Sequence, residues 1–375
     1  MAPIARRGGW TFLAILVIQS TVLADCPIQP GGSVFVRVPV GNLVVDTSAT
    51  DVEAQVSNPA IEVQEACFAD HVEISGVAPE RVYGPIDWEI RVPDTVSLDL
   101  VTFAGSIRIA NTGGNVTART TGGSVIVGNI GGDAAMVTQG GSILGGDIGG
   151  DAELRSLGGE IRIGNVAGNA ELETLGGPIT TGTVSGQIRA ETAGGSINIL
   201  ESRGELNAIT LAGDIVIGSA GRTTVQTAGG NIVGLVIRGP FQGSTDIGNI
   251  RIERAESSIE ARAGVGDIEV QLIPLSLDGD LHISLDTNSG NIRLVIPDDL
   301  PADVEARVDR GVRFGQSIRS DFPLERVNSR PNLPAFVPQA FMSASIRSEL
   351  ILNGGGNRIQ VHTSHGSIEI LSPPR

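Results

Sequence analysis

A glycine returns every 18 residues through the middle of this chain, at Gly105, Gly123, Gly141, Gly159, Gly177, Gly195 and Gly213. It then recurs one residue out of phase at Gly230, Gly248 and Gly266. A second comb fills the half-period at Gly114, Gly132, Gly150, Gly168, Gly186 and Gly204, followed by Gly221 and Gly239. A fixed short period of this kind specifies stacked supersecondary units, none able to bury its apolar face alone.

One period, beginning at Gly159, reads as two alternating segments. Ile161 and Ile163 oppose Glu160 and Arg162; then Ala170, Leu172 and Thr174 oppose Asn169, Glu171 and Glu173. Alternation with period two marks a half-buried strand. Two short strands per period, joined by glycine-rich corners, predict an all-β fold: a single parallel β-solenoid (β-helix or β-roll-like) with 18-residue coils. Because parallel crossovers are right-handed, a flattened, right-handed coil is expected.

Stacking aligns like residues in columns. One inward column runs Ile107, Val125, Ile143, Ile161, Ile179, Ile197, Ile215, Ile232, Ile250 and Ile268; its neighbour includes Ile109, Val127, Ile163, Ile199, Ile217, Ile252 and Val270. Each buried Ile or Val contributes about 1.5–3 kcal/mol, so the columns account for stability in a chain this rich in glycine. A hydroxyl column, Thr120, Thr138, Ser156, Thr174, Thr192, Thr210 and Thr227, shares its face with Val116, Leu154 and Leu172. It is therefore expected to point inward and satisfy buried polar groups beside the turn. The corner pairs Gly128-Asn129, Gly146-Asp147 and Gly164-Asn165 suggest positive-φ turns, which suit glycine and, less readily, Asn or Asp.

Residues 1–24 read as a secretory signal. Arg6 and Arg7 precede an apolar run, and Val22-Leu23-Ala24 forms a small-residue cleavage site. The arginine pair lacks the flanking residues of a twin-arginine signal, so Sec export to the periplasm, cell surface or medium is expected. The apolar run is too short to span a bilayer, and no later segment reads as a membrane helix. Cys26 and Cys67 are the only cysteines. In an exported protein they read as one disulfide; the rival reading makes Cys26 a lipid-modified first residue, although Asp25 stands where a small residue is expected.

The formal charge is −16, and every positive side chain is an arginine. An acidic chain without a basic run does not displace counterions from nucleic acid, and anionic headgroups repel it. Absence of lysine excludes Schiff-base chemistry. Aromatic residues amount to 3%, too few for the stacking platforms of a deep sugar-binding cleft.

A stack exposes strand edges at both ends and needs caps. Residues 25–100, with longer alternating runs at 33–38, 72–74 and 88–92, form the expected N-terminal cap, and 101–272 the repeat. Residues 273–375 are expected to hold C-terminal coils and a cap. Coil-like strands lie at 290–296 and 366–371, with a long loop at 314–349; residues 350–356 bring the chain back to the stack.

The Gly-Ser/Asp-Ile-x-Ile pattern, repeated ten or more times, resembles the bacterial putative-adhesin domain of unknown function, a β-strand-repeat family. The opening Gly32-Ser33-Val34-Phe35-Val36, the run Trp88-Glu89-Ile90-Arg91-Val92-Pro93, and the closing Asn353-Gly354-Gly355-Gly356 through Gly366-Ser367-Ile368-Glu369-Ile370 are similar to it as well. The resemblance spans nearly the whole mature chain. It implies an exported β-solenoid with no catalytic residues to carry over.

Three chemistries compete with plain structural roles. Calcium-binding β-rolls place Asp at the turn, but here the turn holds Asn111, Asn129, Asp147, Asn165 and Thr183. A repeating calcium ladder is not expected; isolated weak sites near Asp133, Asp147 and Asp151 stay open. Polysaccharide-cleaving β-helix enzymes use carboxylates in an outer groove. Asp151, Glu153 and Arg155, Glu160 and Arg162, Glu171 and Glu173, and Arg189 and Glu191 read instead as a solvated, cross-paired face. His362 should face outward and His365 sit at the next corner, a spacing that could bring two imidazoles to one zinc, but without a third ligand. His71 and His282 complete the histidines, all four read as surface residues.

No catalytic, cofactor or metal residues are therefore assigned, and no cofactor is expected. The expected function is a non-enzymatic structural or adhesin-like binding role at the bacterial cell envelope. A surface glycan or another envelope protein is the expected partner. A carbohydrate-active enzyme and a calcium-dependent binding module are the alternatives.

Overall fold

The computed structural model describes residues 26–78, 86–277, 280–309, 317–323, 325–329 and 345–374; the segment read as a signal and most of the 314–349 loop lie outside them. Each coil gives one strand to each of two facing sheets, of 18 and 16 strands among the described residues. In the first sheet, Val116–Thr120, Ala134–Thr138, Ala152–Ser156 and Ala170–Thr174 pair in parallel, each residue beside its equivalent. Ile107–Ile109, Val125–Val127 and Ile143–Leu144 do the same in the second. The fold is the expected β-solenoid. Both isoleucine columns face the space between the sheets and are buried.

The phase slip in the glycine comb leaves this core undisturbed. Ser202 lies opposite Ala220, but Leu206 lies opposite Thr223, so one residue is dropped at the corner between strands. A deletion within a strand would have turned every later side chain to the wrong face.

The coil has a third, short side that the two-strand reading did not foresee. Thr112, Ile130, Ile148, Val166 and Val184 form a ladder of single parallel bridges, all of them buried. From Ile179–Val184 onward, the second-sheet strand runs on around the corner and takes this position in.

The reason for the glycines also differs from the expectation. Within the two combs, φ lies in the left-handed region at Gly105, Gly248 and Gly266 and not at Gly123, Gly141, Gly159, Gly177, Gly195 or Gly213. Asn129, Asp147 and Asn165 do not adopt it either; Asn353 is the described non-glycine residue that does. A β-carbon on Gly159 would instead overlap the backbone carbonyl of Gly141, one coil earlier, and Gly177 meets Gly159 in the same way. Close approach between coils, not turn geometry, excludes side chains from the first comb.

At both ends the chain departs from sequential stacking. Ser33–Val38 and Asn42–Asp46 form the first coil, yet they lie one layer inside. They are sandwiched between the next coil on one side and His71–Val77 with Asp87–Pro93 on the other. Outside these, Glu62–Cys67 and Ser48–Val56 run antiparallel and close the edges. Trp88 is fully buried in this end and donates its indole N–H to the carbonyl of Val40, 3.2 Å away. Cys26 pairs with Val52 through its backbone and is joined to Cys67 by a disulfide, with Cα atoms 5.7 Å apart. That bond leaves no thiol at residue 26 for a lipid.

The other end mirrors this arrangement. The last coil, Asn357–His365 with Ile368–Leu371, inserts between His282–Ser289 with Ile292–Val295 and Ala302–Val308 with Ile318–Ser320. Ser345–Leu352 and Glu325–Ser329 then add antiparallel strands at the outer edge. Among the described residues, the first and the last coil are thus each covered by strands from internal segments. No helix among the described residues is long and apolar enough to cross a membrane.

Candidate functional site

Polar side chains on the corners form ladders. The Oδ1 atoms of Asn111, Asn129, Asp147 and Asn165 each accept the backbone N–H one coil further on, at 2.8, 2.9, 2.7 and 2.9 Å. A second ladder, Asn115, Asp133, Asp151 and Asn169, repeats the bond at 2.8, 2.9, 2.7 and 2.9 Å. These bonds explain the middle of the second comb. A β-carbon on Gly132, Gly150 or Gly168 would overlap the Oδ1 of Asn115, Asp133 or Asp151, so each glycine makes room for the side chain of the coil before it.

Thr120, Thr138, Ser156 and Thr174 form the inward hydroxyl ladder. They donate to the carbonyls of Gly105, Gly123, Gly141 and Gly159 at 2.7, 2.7, 2.8 and 2.8 Å. Corner carbonyls that no strand neighbour reaches are satisfied in this way. The sequence signal for all three ladders was present: a Gly-Asx dipeptide and a Thr at constant spacing. The hydroxyl ladder takes the role expected of it, while the hydrogen bonding of the two Asn/Asp ladders was visible only once the coils were stacked.

Two concavities follow the solenoid axis. One, of about 710 Å³, runs over the third side from Asp94 to Arg203, between the ladder that begins at Asn111 and the small residues Gly113, Gly131, Gly149, Ala167 and Ser185. Its floor is the bridge ladder through Ile130, Ile148 and Val166. The other, of about 570 Å³, crosses the broad sheet past Asp133, Asp151, Glu153, Glu171, Arg189 and Glu205.

Glutamates on the outer faces are paired with arginines, whereas Asp133, Asp147 and Asp151 belong to the corner ladders. Arg155 reaches Glu171 at 2.9 Å and Glu153 at 3.3 Å, and Arg162 reaches Glu160 at 3.1 Å. The carboxyls moved from the ordinary range lie at the two caps. Burial pushes Glu65 up beside the disulfide. Burial also pushes Asp309 up, but a hydrogen bond and charge from His362, with help from Arg307, outweigh it, and the net shift is downward.

Of the residues considered for metal binding, Asp133 and Asp151 stand one coil apart in a single ladder, and Asp147 lies in the other. Each of the three commits Oδ1 to its ladder. Among the described residues, the three-donor grouping is Cys26, Glu65 and Cys67, where both sulfurs are already bonded to each other. His362 does face outward, but its two ring nitrogens lie against Asp286 and Asp309 rather than toward His365. This pairing was missed because its partners lie 76 and 53 residues away in sequence.

No protein-family model matches the chain, and no curated protein matches it. Two solved structures are similar. One is a putative adhesin from Bacteroides fragilis, with 16% identity over 73% of this chain and 96% of that one, at a TM-score of 0.21. The other is a putative cell adhesion protein from Clostridium sporogenes, with 11% identity over 95% of this chain and 100% of that one, at a TM-score of 0.16.

Proposed function

We propose that the chain is an exported, non-enzymatic β-solenoid of the bacterial cell envelope with an adhesin-like binding role, and that its binding surface is the groove along the third side. Repetition is the observation that carries this reading. Asn111, Asn129, Asp147 and Asn165 stand one coil apart along the groove wall, a spacing of about 4.8 Å. With each Oδ1 fixed by the ladder, the remaining polar atom of every side chain is presented in one orientation along a line. Asn111 and Asn129 present amide donors and Asp147 a carboxylate acceptor, while the Asn165 amide also donates to Asp147 Oδ1 at 3.2 Å. A rigid row that both donates and accepts suits a linear, repetitive, hydroxyl-rich partner, and a surface glycan has that chemistry. The disulfide supports a place outside the cytoplasm. Arginine-paired carboxylates support a role without catalysis.

The test is retention of the mature chain, residues 25–375, on cell-wall fractions and a glycan panel, with and without calcium. The Ala167→Trp variant, which fills the groove, is run in parallel. Saturable retention on one polymer that the variant loses is the expected result. Turnover of that polymer would replace this reading with the enzymatic one, and strict calcium dependence with the calcium module. Retention on protein alone, or none, overturns the glycan assignment.

A further inference from the structure

His362 belongs to the inserted last coil, and its ring bridges the layers on both sides. Nδ1 lies 3.2 Å from an oxygen of Asp286 on His282–Ser289. Nε2 lies 3.0 Å from an oxygen of Asp309, which directly follows Ala302–Val308. A neutral imidazole has one N–H and one lone pair, and an ionised carboxylate only accepts. Both bonds together therefore require the charged ring. On loss of the proton, one nitrogen presents a lone pair to a carboxylate oxygen, and one side of the coil is released.

The neighbouring charges are arranged around that cation. Arg307 stands in register beside His362, but its Nε donates to the other oxygen of Asp309 at 2.8 Å, so it reinforces the carboxylate instead of crowding the ring. One layer beyond Asp286, Arg262 is paired with Glu260; one layer beyond Arg307, Arg347 is paired with Glu305 and Glu349. On the same strand as His362 stand Arg358 and His365, and His282 lies in register with Arg358. Asp309 also ties its backbone N–H to the carbonyl of Thr363, 3.1 Å away. The contacts at His362 thus join three consecutive layers at the point where the chain inserts out of order.

We propose that His362 is an acid-dependent latch: its protonation fastens the C-terminal coil to the layers on either side, and its deprotonation loosens that coil while the rest of the solenoid is unchanged. Amide hydrogen exchange of the mature chain tests this from pH 5 to pH 8, the span in which histidine changes charge. Exchange of the Asn357–His365 and Ile368–Leu371 amides is expressed relative to Ile188–Thr192 and Leu206–Thr210 in the same molecule, which cancels base catalysis. Relative protection is expected to fall roughly fivefold with rising pH, the scale of a partly screened ion pair. His362→Gln is expected to abolish the pH dependence, and His282→Gln and His365→Gln to keep it. Should His362→Gln not fold, Asp309→Asn is expected to flatten the profile in its place. A flat wild-type profile, or one that follows His282 or His365, overturns the latch.

Discussion

The backbone N–H of Ser367 donates to the side-chain oxygen of Asn291, 3.0 Å away, although 76 residues separate the two. The bond extends a corner ladder in which the Oδ1 atoms of Asn231, Asn249, Asp267 and Asn291 each accept the backbone N–H one coil on. Thr363 likewise donates to the carbonyl of Gly290, and Gly366 packs on that same carbonyl. By these local features residues 357–371 are the next repeat after 282–295, and the described strands between them in sequence form a cap.

Gly158 and Gly159 are adjacent, yet they should respond oppositely to alanine. A β-carbon at Gly159 overlaps the Gly141 carbonyl, whereas at Gly158 it meets the Gly140 oxygen at 3.4 Å, an ordinary contact. Gly159→Ala is expected to lose about 1–3 kcal/mol, the scale of overpacking. Gly158→Ala is expected to stay within about 0.5 kcal/mol of wild type. Urea melts of both variants compare them directly; equal losses would return the explanation to backbone conformation.

Asp151 separates the ladder from its charge. Its Oδ1 accepts the N–H of Asn169 at 2.7 Å, and its own N–H donates to Asp133, so two carboxylates occupy successive coils. Asp151→Asn keeps the acceptor and relieves the like charge, and is expected to be neutral or stabilising. Asp151→Ala leaves the amide without its partner and should cost about 1 kcal/mol. Equal destabilisation in thermal melts would show that the carboxylate itself is required.

On the outer face of the second sheet, Arg251, Glu269, Arg293, Glu369 and Arg319 succeed one another in register across five layers. The signs alternate only because the last coil inserts between Ile292–Val295 and Ile318–Ser320. Sequential stacking would set Arg293 beside Arg319. Glu369→Arg is expected to destabilise the C-terminal end by up to about 1 kcal/mol. Half a molar salt should recover part of the loss through screening. Limited proteolysis of this end at low and high salt measures both effects.

Asp309 predicts a second, acid-side limit to the stability of the same coil. Its carboxyl is held below the ordinary value of 3.8 by His362 and Arg307, against the opposing effect of burial. A lowered folded-state value contributes stability that is complete above the unfolded value and is lost as pH falls through the folded one. Exchange protection of the last coil should therefore decline below pH 3.8, ahead of the central coils. In Asp309→Asn that decline should be absent.

The sequence by itself determined the coil. Its length, the inward isoleucine columns and the buried threonines all follow from local periodicity, because side-chain direction alternates along a strand and a constant period stacks equivalent residues. Some strands at the ends could be read too, such as Ser33–Val38 and Ile368–Leu371, whereas Ile318–Ser320, Glu325–Ser329 and part of Ser345–Leu352 fall in the stretch read as a loop. What only the tertiary structure decided is the order of the end layers, the third side of the coil, and the reason for the glycines. Any Ile-x-Ile strand can pair with any other, so nothing local states that Ile368 belongs beside Ile292, or that Ser33–Val38 lies beneath a cap formed later in the chain. That choice rests on non-local partners: the alternating charges around Glu369, the carboxylates around His362, and the strands that pair antiparallel at the outer edges. The glycines are the same case in miniature, since a residue required by the carbonyl of a neighbouring coil looks, in the sequence, like a residue required by a turn.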